Sequence, residues 1–177
     1  MAKKTDKTKK TPSKKKSITR DSIISAYMEY VLENEQTPKS VYKFSKEHNM
    51  TEQEFYSFFG SFDGLRNEIW NTFFDHSLKL IHKDKNFEGF SNQEKMLTFL
   101  FTFFEMLTAN RSYVLFALKE NKDMMKSLSQ LKGLRIRVKE FASGLINEKN
   151  EEKNLKILKQ PVSVFSEGAW LQTLFIL

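Results

Sequence analysis

Residues 40–65 read SVYKFSKEHNMTEQEFYSFFGSFDGL, and the fold turns on how this stretch is parsed. Asn49 stands where a chain leaving one helix needs a left-handed residue, and asparagine is the best non-glycine choice for that turn. Met50 can plug the corner. Thr51, with Glu54 three residues on, forms a capping box that opens a very short helix. Phe55, Phe58 and Phe59 are expected to face the core, with Gly60 as the stop signal. Ser61 then caps a longer helix that runs through Leu65, Ile69, Phe73 and Leu80 to about Ile81. Upstream, Thr37 caps a helix with Pro38 in its first position, where the missing N–H is harmless. Val41 and Phe44 point inward from it. A first helix is expected from Thr19 to about Asn34, with Ile23, Ala26, Tyr27, Tyr30 and Val31 as its apolar stripe. Asn34–Gln36 forms a polar break.

The rest of the chain also reads as helix, so the fold class is all-α. There is no hairpin signal and no sustained alternation of period two. His82–Phe90 is a polar connector. Ser91 and Glu94 form another capping box, opening a helix to about Asn110 whose apolar residues cover almost its whole circumference. That helix is expected to lie at the centre of the body. Further helices are expected over about 112–131, 134–147 and 161–177, with Asn147–Asn154 as an exposed loop. The apolar ending LQTLFIL calls either for a subunit interface over it or for more chain beyond Leu177.

Composition narrows the function. The 177 residues contain no cysteine, which removes disulfide scaffolds, thiol catalysis and cysteine-based zinc sites. The formal charge of +7 is concentrated in residues 1–16, which hold eight lysines and the single acid Asp6. The remaining residues balance to neutrality. Such an arm cannot bury enough apolar surface to fold alone, and it is attracted to polyanions. Arg20 and Asp21 interrupt any secretory leader, and the greasiest stretch, Met96–Leu107, is too short to span a bilayer. A cytoplasmic protein is expected. His48, His76 and His82 fit no metal motif, and there is no glycine-rich phosphate loop or nucleophile elbow. No enzyme activity, metal or cofactor is therefore expected.

A short helix, a tight turn, a short capped helix, an aromatic pair and a longer capped helix together resemble the helix-turn-helix of TetR-family repressors. The resemblance covers about Thr19–Ser77 and falls on Ser40, Ser45, Asn49, Met50, Thr51, Tyr56, Phe59 and Leu65. It differs in three places. Asn49 replaces the turn glycine, Phe62 stands where the family has a phosphate-contacting lysine, and Glu52 and Glu54 are acids on the reading helix. The resemblance implies a disordered basic arm over 1–16, a DNA-binding domain over 17–64 and a helical effector-binding and dimerisation domain over 65–177. The second helix of such a pair presents its first residues to base edges in the major groove. Gln53 can pair with adenine, Thr51 can touch phosphate or a thymine methyl, and Glu52 can accept from cytosine. By resemblance, Lys39, Ser40, Tyr42, Lys43 and Tyr56 hold phosphates of double-stranded DNA. Lys14, Lys15 and Lys16 of the arm supply the counterion release that a neutral body cannot.

In the body, Phe99, Phe103, Met106, Leu107, Phe116 and Met124 are candidates to line a cavity for an apolar or amphipathic small-molecule effector, an expectation raised by the family likeness. The last helix offers Val162, Phe165, Ala169, Trp170 and Leu174 as a stripe for a homodimer interface. A second reading belongs to another class. A protein of this fold that has given up DNA would bind lipid or a partner protein, like the lipid-binding helpers of ubiquinone biosynthesis. Its basic arm would then address an anionic membrane surface.

Overall fold

The computed structural model describes residues 17–119, 128–151 and 161–177, with the backbone alone over 148–151. Lys14, Lys15, Lys16 and Met124 lie outside the described residues. Among the described residues there are eight α-helices and no strand: α1 Arg20–Asn34, α2 Val41–Glu47, α3 Glu52–Tyr56, α4 Phe62–Ile81, α5 Asn92–Ala109, α6 Arg111–Lys119, α7 Lys132–Glu151 and α8 Val162–Ile176. A single 3₁₀ turn, Phe87–Gly89, sits in the connector between α4 and α5.

The helix starts follow local chemistry. The side chain of Thr19 accepts from the Ser22 amide and the Ser22 side chain answers the Thr19 N–H, a reciprocal cap for α1. Ser61 and Ser91 cap α4 and α5 as expected. Helix α2 starts later than expected. Its cap is Ser40, which accepts from the Lys43 amide at 3.3 Å, and Pro38 lies buried ahead of it rather than inside its first turn. A helix cap needs extended backbone and a side-chain acceptor, and Ser40, at φ −156° and ψ 150°, supplies both.

Helices α1, α2 and α3 enclose an aromatic core. Phe44 is fully buried, with Tyr27, Phe55 and Phe62 at ring separations of 6.2, 6.2 and 5.6 Å. Phe62 also lies 5.4 Å from Phe55 and 5.7 Å from Tyr27. The residue that departs from the family's lysine is thus part of the packing of this head. Phe58 is 42% exposed, against expectation. Helix α3 ends at Tyr56, so the helical period that would have turned Phe58 inward stops before reaching it.

Helix α4 carries the head into the body. Its buried residues Leu65, Ile69, Trp70, Phe73, Phe74, Ser77 and Ile81 form one stripe, and Leu80 lies outside it. The helix packs on α5 and α7; α1 rests on α6, and α8 packs along α7. Helix α5 does not run through the centre. Met96, Phe99, Phe103 and Leu107 are buried, whereas Leu97, Phe101 and Phe104 are exposed on its far side. Helix α7 continues through Asn147–Glu151, where a loop was expected. Glutamate and lysine are good helix formers, so local propensity favours helix over this stretch. Residues 152–154 of that expected loop lie outside the described residues.

Candidate nucleic-acid interface and effector clefts

The turn between α2 and α3 is built as its residues require. Asn49 takes a left-handed conformation at φ 55°, Met50 is buried beneath the corner, and the Met50 amide donates to the Ser45 carbonyl at 2.9 Å. His48 closes the end of α2, with Nδ1 2.8 Å from the Phe44 carbonyl and its ring 4.4 Å from the Phe44 ring. Helix α3 begins on a complete capping box. The Thr51 amide donates to Glu54 Oε2 at 2.7 Å, and the Glu54 amide donates to Thr51 Oγ1 at 3.1 Å. Glu54 is therefore engaged in holding the helix start. Glu52 is exposed and has no ion-pair partner among the described residues.

Thr51, Glu52, Gln53 and Tyr56 all face outward, and Phe55 alone of this helix is buried. Lys39, Tyr42 and Lys43 are exposed beside them on and before α2, and Ser40 is half-buried as its cap. The structure thus brings every described residue of the expected DNA contact set onto the outside of one helix pair. Lys46, which the sequence reading did not single out, continues the positive row of Lys39 and Lys43 at helical spacing. The head as a whole is acidic. Over residues 17–64, Arg20, Lys39, Lys43 and Lys46 face eight carboxylates, a net charge of −4. Apart from Arg20 of α1, which pairs with Glu68, the positive charge of the head lies on the α2 side, and the +7 of residues 1–16 is the other source.

The body is arranged differently from the expectation. Phe99 and Phe103 stack at 5.6 Å and 16°, and Phe99 also meets Phe74 and Phe141 at 5.2 Å each. With Leu107 they are buried in the hydrophobic core, where α5 packs on α4 and α7. Met106 and Phe116 are half-buried against the same core. Two clefts lie elsewhere. The larger, about 570 Å³, is bounded by Gln93, Met96, Leu97 and Leu100 of α5, Ile146 of α7, and Val164, Phe165 and Gln172 of α8. The smaller, about 370 Å³, lies between the approach to α7 and the far half of α8. None of the five described pocket candidates lines either cleft.

The face of α8 is also rotated from the expected one. Ala169 and Trp170 are buried within the chain, with Val162, Phe165 and Leu174 half-buried, because they pack on α7. The residues left outside are Val164, Leu171 and, at 92% exposure, Phe175. Gly168 lies between them in register, and a methyl group there would meet nothing within 4 Å.

Residues 95–177 match a protein family described as "Tetracyclin repressor-like, C-terminal domain". Over these residues the body is similar to the C-terminal domain of tetracycline repressor-like proteins. An independent match on the C-terminal side thus meets the helix-turn-helix likeness read from residues 19–77 on the N-terminal side. No curated protein and no solved structure matches the chain. No helix among the described residues is long and apolar enough to cross a membrane, and no group of three or more metal-ligating side chains occurs among them.

Proposed function

We propose that this TetR-like protein is a dimeric, DNA-binding transcriptional regulator of the bacterial cytoplasm whose affinity for double-stranded DNA is set by an apolar small molecule. The observation that carries the proposal is the outward presentation of Thr51, Glu52, Gln53 and Tyr56 on a capped helix beside Lys39, Lys43 and Lys46. A short helix fixed at its N-terminus, with a phosphate-holding partner next to it, is what major-groove reading needs. Phosphate contacts from α2 position the head; Gln53 and Glu52 read bases.

The larger cleft is the proposed effector site. Its volume falls within the ordinary range for ligand pockets, and its walls are apolar with the Gln93 and Gln172 amides at hand. The proposed dimer face is the outer stripe of α8, Val164–Gly168–Leu171–Phe175. Three and four residue spacings make one ridge that a second copy can match.

The lipid-binding reading is less favoured. It drew on Glu52, Glu54 and Phe62, and two of these now have a structural account, as helix cap and head core. The test is fluorescence anisotropy on fragments of the source genome, set beside vesicle co-sedimentation. The expected result is salt-sensitive retention of particular promoter fragments, and a strong loss of affinity and a flatter salt dependence on deletion of residues 2–16. Binding to anionic vesicles with no fragment preferred would overturn it.

A further inference from the structure

A buried glutamine joins the smaller cleft to the head. Gln130 accepts from the indole N–H of Trp70 at 3.1 Å and donates from Nε2 to the Ala117 carbonyl at 2.8 Å. Trp70 lies on α4, which leads out of the head, and Ala117 lies on α6, on which α1 rests. One side chain therefore ties together the two body helices that hold the head. On either side of it in the chain, Ser129 and Leu131 line the smaller cleft, together with Leu128, Lys132, Arg135, Trp170 and Leu174.

The chemistry of that cleft is distinct from the larger one. Its walls are leucine and tryptophan, and the charged groups at it are cationic. Lys132 is exposed and has no ion-pair partner among the described residues. Arg135 and Lys139 share one carboxylate, Glu167, at 3.1 and 2.5 Å. Two cations on one acid, with Lys132 beside them, leave the rim net positive. An apolar floor under a positive rim suits a ligand with an apolar tail and a carboxylate head.

We propose that this cleft binds an amphipathic carboxylate and that Gln130 transmits its occupancy to α4 and α6. An occupant seated between Trp170, Leu174 and the 128–131 turn presses on the segment from which Gln130 reaches inward. A shift there loosens both hydrogen bonds together. The proposal deepens the effector-controlled reading by adding a second, charge-selective site, but its test uses no DNA, so it stands or falls separately.

The test uses the full chain and decanoate as probe, with decanol and decyltrimethylammonium as matched neutral and cationic comparators. Isothermal titration calorimetry is expected to show saturable binding of decanoate in preference to both. Lys132→Glu, on an exposed side chain, is expected to weaken it at least about tenfold. Lys83→Glu, the same charge change on an exposed side chain that lines neither cleft, is expected to leave it unchanged. In hydrogen exchange, decanoate is expected to raise the exchange of α4 and α6 amides around Trp70 and Ala117. Gln130→Leu is expected to show raised exchange there already, with no further response although decanoate still binds. Equal binding of decanol, unchanged affinity in Lys132→Glu, or an equal loss in Lys83→Glu would overturn the site. Binding without any change in α4 and α6 exchange would overturn the role of Gln130.

Discussion

Replacing Gln130 by leucine removes both of its hydrogen bonds while keeping most of its volume. The Trp70 indole N–H and the Ala117 carbonyl are then left without this partner, in a place where Trp70 is fully buried and Gln130 is 7% exposed. Leaving a buried polar group unpaired costs about 1–3 kcal/mol, so two such groups put the loss at roughly 2–6 kcal/mol. For a chain of this length that corresponds to a Tm lowered by roughly 4–24 °C. Trp70→Phe removes the donor instead and strands Gln130 Oε1. In the double variant Trp70→Phe/Gln130→Leu neither group of that pair remains, so its loss is expected to fall short of the sum of the singles by about 1–2 kcal/mol. Urea unfolding followed by far-ultraviolet circular dichroism measures all four corners of the cycle, with a constant m-value as the check that the unfolded states are comparable. Additivity within about 0.5 kcal/mol would refute the reasoning, because the two side chains would then be stabilised independently.

Three further outcomes are expected. Glu52→Gln removes an exposed, unpaired acid from the reading helix, so DNA affinity should rise about two- to threefold at low salt with no change in Tm, whereas Thr51→Ala should lower stability by about 0.5–2 kcal/mol through the lost cap; anisotropy and thermal melts separate the two. Gly133→Ala would put a methyl carbon 2.6 Å from Asn71 Oδ1, so the Asn71 amide must turn aside, and Asn71→Ala/Gly133→Ala is expected to be more stable in urea unfolding than the sum of the two single variants. Hydrogen bonds from the Ser91 side chain and amide hold the Glu94 carboxyl below its usual range, and the hydrogen bond from Lys139, with help from Arg135, does the same for Glu167. A carboxyl with a lowered native pKa contributes in full above its unfolded value and loses that contribution as pH falls through the lowered native value. Urea midpoints should therefore drop below the ordinary carboxylate range, and less steeply in Glu94→Gln/Glu167→Gln; identical pH profiles would count against it.

Much of the head was legible because its determinants are local. A threonine followed three residues on by glutamate, or an asparagine forced into left-handed backbone, fixes a helix end from within a few residues, and the chain had little else to consult. The same holds for the exposure of Lys39, Tyr42, Thr51 and Gln53, since a helix of seven residues and one of five have few faces to choose from. Phe62 was harder to read. A phenylalanine at a position where relatives carry lysine gives no hint of its partners, and only the approach of Tyr27, Phe44 and Phe55 from three other helices makes it a core residue.

The sequence by itself determined the all-α class, the start of nearly every helix and the turn of the head, because caps and turn residues act on backbone groups only a few positions away. Tertiary structure alone decided which faces of α5 and α8 are buried. Both helices are apolar on more than one side, so their periodicity admits several rotations, and the packing of α8 on α7 selected Ala169 and Trp170 for the inside and left Val164, Leu171 and Phe175 out. The clefts follow from the same choice: an empty space between helices is a property of their relative placement, and no single stretch of chain encodes it.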